Sequence, residues 1–161
     1  MPPHTLSDKV DTDMTIKLSS LKVDLQREKT GDWIAYPEWP GVEFNVSSLM
    51  VPEFVNARNA LNKRLSKSFK GVDVPESVRM PELGKVLAKH VLHDWRGLDE
   101  DYTPERALEI LSDWAFREVT SAVLYCASLI GQSDAEFVED AGKKSGPGSA
   151  GASKASSAPT G

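Results

Sequence analysis

Glu28–Val46 reads EKTGDWIAYPEWPGVEFNV, and this stretch decides the fold class. Lys29-Thr30-Gly31-Asp32 makes a turn, and Trp33-Ile34-Ala35-Tyr36 is a short aromatic and branched run. Pro37 to Gly41 is a second turn, after which Val42, Phe44 and Val46 alternate with Glu43 and Asn45. Alternation at period two between Gly/Pro turns is the pattern of half-buried strands. It predicts strands at approximately 32–36 and 41–47. Upstream, Ile16, Leu18, Leu21, Val23 and Leu25 alternate less regularly and predict a first strand at approximately 20–27. Three strands this short cannot stand alone and need helices over one face.

The remaining pattern supplies them. Pro52 suits a first helical turn, and Phe54, Val55, Leu61, Leu65 and Phe69 recur at helical spacing until Gly71. After a polar linker, Pro81 is expected to open a second helix. Its buried stripe is Leu83, Val86, Leu87, Val91 and Trp95, and Gly97 is its stop. Thr103-Pro104-Glu105 combines a capping hydroxyl, a first-turn proline and an early acid. It predicts a third helix through Leu108, Ile110 and Leu111. Trp114–Ile130 is the most apolar segment and the fourth helix, with Val119, Val123, Cys126, Ala127 and Ile130 on one side. Ser133 and Glu136 have capping-box spacing and predict a short fifth helix through Phe137 and Val138. The expected class is α+β: a short N-terminal antiparallel β-meander packed on a bundle of four to five helices. One domain, 15–141, is expected between a flexible leader, 1–14, and a tail, 142–161. The tail holds only Gly, Ser, Ala, Pro, Thr and Lys. Such a composition buries too little apolar surface to offset ordering entropy, so disorder is expected there.

Charge and composition narrow the function. The net charge is −5; the tail carries Lys143, Lys144 and Lys154 and no acid, which leaves −8 on residues 1–141. An acidic body speaks against nucleic-acid binding, whose affinity comes largely from neutralising phosphates. The first residues, Met-Pro-Pro-His-Thr-Leu-Ser-Asp, are no signal peptide, and no run approaches the roughly 20 apolar residues of a membrane span. A cytoplasmic protein is expected. Cys126 is the single cysteine, which rules out an intrachain disulfide and a cysteine-rich zinc site.

Chemistry-bearing patterns are sparse. His90 and His93 fall one turn apart on the expected second helix with Asp94 beside them, two imidazoles for a metal. No His-Glu-x-x-His pattern or third ligand accompanies them. Gly142-Lys143-Lys144-Ser145 lacks the upstream glycine of a phosphate loop and follows a helix. The Ser/Asp pairs lack a histidine partner, and Asp99-Glu100-Asp101 reads as a charged loop. The reading is a non-enzyme with no catalytic residues, no metal and no cofactor. Arg58, Lys63, Arg64, Lys67 and Lys70 crowd one helix, as a solvated face or as a site for an acidic partner. Trp39, in a turn between Glu38 and Pro40, is the tryptophan placed best to be exposed as a partner anchor.

Three stretches together resemble tail assembly chaperones of long-tailed phages and prophages. The first is Glu28–Val46. The second is His90–Leu111, HVLHDWRGLDEDYTPERALEIL, with Trp95, Gly97 and Leu98, an acidic loop, and a helix start at Thr103, Pro104, Glu105, Ala107 and Leu111. The third is the amphipathic segment Trp114–Ile130 with the acidic stretch after it. The resemblance implies a non-enzymatic protein of the host cytoplasm that coats the tape measure protein, a long apolar helical chain, and keeps it soluble. Tail tube protein is an expected second contact, self-association is left open, and the mature virion should lack the protein. Nucleic acid and membrane are not expected partners. The alternative is a structural virion component such as a head–tail connector or tail completion protein. Partner binding is assigned to Trp39, Trp95, Trp114, Arg58, Lys63 and Arg64. Gly142-Lys143-Lys144 also marks where a run of G then A codons would let ribosomes slip into a longer product.

Overall fold

The computed structural model describes residues 14–139; leader residues 1–13 and the tail 142–161, with its Gly142-Lys143-Lys144 junction, lie outside the described residues. In chain order the elements are β1 (Met14–Ile16), α1 (Leu25–Thr30), β2 (Asp32–Ala35), β3 (Glu43–Val46), α2 (Pro52–Ser68), α3 (Glu76–His90), β4 (Leu92–Arg96), α4 (Pro104–Leu111), α5 (Arg117–Ile130) and β5 (Phe137–Glu139). The class is α+β, as the sequence predicts. Two compact units are present: residues 24–132, and the described ends 14–23 with 133–139.

In the first unit β2, β3 and β4 form an antiparallel sheet in that order. Helix α5 lies against β2 and β3, and α3 touches α2, α4, α5 and β4. Phe44 and Val46 of β3 and Leu92 and Trp95 of β4 point into a core shared with Phe54, Leu87, Leu111, Val123 and Cys126. Burying each such side chain is worth about 1.5–3 kcal/mol. Backbone approach is closest at Gly84 of α3, where a Cβ would lie 1.8 Å from the Leu111 carbonyl oxygen. Only a residue without a side chain lets α3 seat on the end of α4.

The meander differs from the expectation in its third member. Residues 20–27 form no strand: Leu18–Leu21 is a 3-10 turn, and Asp24 caps α1 by accepting the Gln26 and Arg27 N–H groups, both at 3.1 Å. Leu-Gln-Arg-Glu-Lys after that cap are good helix formers. Ile16, Leu18, Leu21 and Leu25 are exposed, so their alternation faces no core.

The missing strand is β4, drawn from the stretch expected to extend the second helix. Register runs Glu43↔Arg96, Phe44↔Trp95 and Asn45↔Asp94, then jumps to Val46↔Leu92. His93 is therefore the extra residue of a β-bulge. The bulge turns both His93 and Asp94 outward while Leu92 and Trp95 both stay buried. Helix α3 also starts earlier than Pro81: Pro75 precedes its first turn, its carbonyl accepts the Val78 and Arg79 N–H groups, and Pro81 sits inside. Trp114–Phe116 is a 3-10 turn capped by Asp113, so the α-helix begins at Arg117.

In the second unit β1 pairs with β5, Met14↔Glu139 to Ile16↔Phe137. The expected fifth helix is absent because Glu136 serves this ribbon instead of a cap. Its N–H donates to Ser20 Oγ at 2.8 Å, and its carbonyl accepts the Lys17 N–H at 2.8 Å.

Candidate functional site

Two hollows meet at the entry to α5. The first, about 150 Å³, has Trp95, Leu98, Ile110, Phe116 and Val119 in its wall, with Asp99, Glu100 and Arg106 at its edge. The second, about 360 Å³, is bounded by Trp39, Phe116, Arg117, Glu118 and Val119. Phe116 and Val119 are common to both and form the ridge between them. The local sequence explains the ridge. Asp113 holds a 3-10 turn by accepting the Ala115 N–H at 2.9 Å. That turn sets Phe116 as the N-cap of α5, ahead of the helix's buried face. Phe116 is consequently 38% exposed, Trp114 37% and Leu98 37%.

The three expected tryptophans take different places. Trp39 is half-buried, its ring edge-on to Tyr36 at 4.9 Å, and it borders the second hollow. Trp95 is only 4% exposed. Its indole N–H donates to the Glu100 carbonyl at 2.8 Å and its ring meets Tyr102 edge-on at 5.2 Å, so it is a floor beneath the first hollow rather than an anchor reaching outward. Trp114 sits on the same 3-10 turn as Phe116, with the Arg117 guanidinium 4.7 Å from its ring centroid. Phe116 and Leu98 are exposed apolar residues that pattern reading did not assign to binding, whereas Val119, expected on the apolar side of the fourth helix, is partly buried against the core.

Arg58, Lys63 and Arg64 lie on α2 and line neither hollow. Arg58 donates to Asn59 at 3.3 Å, its guanidinium 5.9 Å from the Phe54 ring centroid. Arg64 pairs with Glu82 at 3.4 Å, and Lys63 is exposed. At the first hollow Arg106 binds Glu100 at 2.9 Å and Glu109 at 3.3 Å. Its hydrogen bond to Glu100 holds that carboxyl below the usual range.

A separate cleft of about 620 Å³ contains Glu28, Ser47, Met50, Lys89, His90 and His93 among its walls. The helix break separates the expected metal pair: His90 ends α3, whereas His93 sits at the bulge of β4. Asp94 is committed to the Trp95 N–H at 2.8 Å. Among the described residues, no group of three or more His, Cys, Asp or Glu is arranged to hold a metal. Ser47 is 2% exposed and its hydroxyl donates to the His90 carbonyl at 3.2 Å. His93 Nε2 lies 3.2 Å from the Ser47 hydroxyl oxygen. The contact ties the bulge to the end of β3. Desolvation of the His93 ring where it enters the cleft lowers its pKa. Burial pushes the Cys126 thiol up to about 11, which leaves it protonated and inert at neutral pH.

No described helix is long and apolar enough to cross a membrane. No curated protein and no solved structure matches the chain. The YdaY prophage protein family matches over residues 49–144, a span that runs from before α2 through α5 and includes the bulged strand and the Phe116 ridge. That match covers more than half of the sequence, and the chain belongs to the YdaY prophage protein family.

Proposed function

We propose that this prophage protein is a tail assembly chaperone that binds the tape measure protein and keeps it soluble while tail tube protein polymerises around it. The observation that carries the reading is the apolar surface at the two hollows. Leu98 at the first hollow and Phe116 at both are exposed apolar side chains on an acidic chain. Exposed apolar surface rimmed by polar groups marks an interaction site, and hollows of this kind take the apolar face of a helix. The resemblance of Glu28–Val46, His90–Leu111 and Trp114–Ile130 to tail assembly chaperones supports the same partner, and the prophage family agrees with a phage setting. Holding a chain requires no catalytic group and no cofactor. The work belongs to the host cytoplasm, where tails are built, and ends before the virion is complete.

Co-expression with the tape measure protein of the same prophage tests the reading. The soluble fraction of that protein should rise at least severalfold, and Trp39→Ala, Trp114→Ala and Phe116→Ala together should reverse the gain while the circular dichroism spectrum stays unchanged. Abundant copies in purified particles, seen by mass spectrometry, would replace this reading with that of a connector or tail completion protein.

A further inference from the structure

We infer that Asp32 and Asp94 close the two free edges of the three-stranded sheet, so that neither a second copy nor an extended segment of another chain can lengthen it, an assignment independent of the chaperone reading. With the order β2-β3-β4, β2 and β4 each leave one side unpaired. Unpaired edge N–H and C=O groups are a template for a further strand. Along an antiparallel ladder the backbone groups of alternate residues turn toward the neighbour, and those between turn away. The Tyr36 N–H donates to the Val42 carbonyl at 3.0 Å. Counting by two in the register, Ile34↔Phe44 and Asp32↔Val46 are bonded pairs as well, so the N–H groups of Trp33 and Ala35 turn away from β3. On β3 the backbone groups of Phe44 and Val46 are thus spent on β2, and those of Glu43 and Asn45 face β4. Their partners Arg96 and Asp94 are bonded, and the Trp95 N–H between them turns to the outer edge.

At each edge that outward N–H is taken by the carboxylate of the residue before it. Trp33 donates to Asp32 Oδ1 and Trp95 to Asp94 Oδ1, both at 2.8 Å. The same Asp-Trp dipeptide therefore stands at the same place on opposite edges. Arg27 holds the other Asp32 oxygen at 2.9 Å, and the Trp33 N–H together with Arg27 keeps this carboxyl below the usual range. The remaining edge groups are few. Pro37, the next outward position after Ala35, has no N–H, and on β4 the Leu92 carbonyl accepts the Tyr102 hydroxyl at 3.4 Å. An incoming strand must displace a charged acceptor already in place and bring its own carbonyl oxygen up to a carboxylate, like against like.

The test uses the full chain, and both aspartates are exposed, so their replacement leaves the core intact. Amide exchange followed by NMR reads the two hydrogen bonds directly. The Trp33 N–H should exchange at least tenfold more slowly than that of Ala35, the next outward residue on the same edge. Asp32→Ala should speed Trp33 at least tenfold and leave Trp95 unchanged, and Asp94→Ala should do the converse. Asp32→Asn and Asp94→Asn, which keep an accepting Oδ1, should stay within threefold of the parent. In sedimentation velocity Asp32→Ala with Asp94→Ala should at least double the average mass relative to the parent at the same concentration, with an unchanged circular dichroism spectrum. Arg27→Ala, which removes the ion pair and leaves the carboxylate, should not. Should the double variant unfold, the two single variants carry the same readouts. Equal exchange of Trp33 and Ala35 in the parent, exchange untouched by the Ala variants, or faster exchange without added association would overturn the inference. Association of the Asn variants as strong as that of the Ala variants would overturn it too, since charge alone would then keep strands away.

Discussion

Helix α5 and strand β4 bring apolar side chains to the same core at the same sequence spacing with different backbones. In α5, Val123, Cys126, Ala127 and Ile130 are all buried, steps of three and four that hold one face of a helix. In β4, Leu92 and Trp95 are also buried and also three apart, yet the backbone is extended and paired to β3. The strand reaches that spacing by adding the single bulge residue, His93, to its natural period of two. Spacing of buried residues thus identifies a helix only where the ladder is regular.

Removing one residue from each segment separates them most sharply. Deleting exposed Ser121 rotates everything beyond it in α5 by about 100° and turns Val123 through Ile130 away from the core. The deletion should abolish cooperative unfolding in urea. Truncating the strand's own anchor comes next: Trp95→Ala should cost about 3–5 kcal/mol, since it also orphans the Glu100 carbonyl from the indole N–H. Deleting His93 should be far milder. It regularises the ladder and leaves Leu92 and Trp95 two apart on one face, at the loss of the contact to Ser47, about 1 kcal/mol. A His93 deletion as damaging as the Ser121 deletion would refute the bulge.

The smallest expected effect is in pH. Desolvation depresses the pKa of His93 in the folded state, so the unfolded chain binds the proton more readily. Stability from this group is fully present above its ordinary value of 6.5 and is lost as pH falls through the lower folded-state value. Urea midpoints should therefore decline slightly faster with acid in the parent than in His93→Gln. Equal slopes would place the ring in water rather than in the cleft.

Some of the local chemistry was directly legible. Thr103 accepts the Arg106 N–H at 3.0 Å and starts α4 with Pro104, as its sequence predicts. The pair of strands read from Trp33–Val46 forms with its Phe44 face buried. Asp24 was equally readable as a cap, but an apparent alternation through Val23 and Leu25 competed with it. Ser133 and Glu136 had the right spacing for a cap and form none, because Ser20, remote in sequence, takes the Glu136 N–H. At the candidate site Trp39 was visible as an aromatic in a turn, whereas nothing in the local pattern marked Phe116 and Leu98 as exposed.

By itself the sequence determined the α+β class, the turns at Gly31 and Pro37–Gly41, the cap of α4, the apolar face of α5 and the acidic charge, since each depends on neighbours along the chain. Tertiary structure alone decided that Leu92–Arg96 completes the sheet, that Trp95 is a floor while Phe116 is a ridge, and that His93 is the extra residue of a bulge. The physical reason is that strand pairing and exposure are set by what lies opposite in space. Val46 pairs with Leu92 across 46 positions of sequence, and no local pattern encodes that partner.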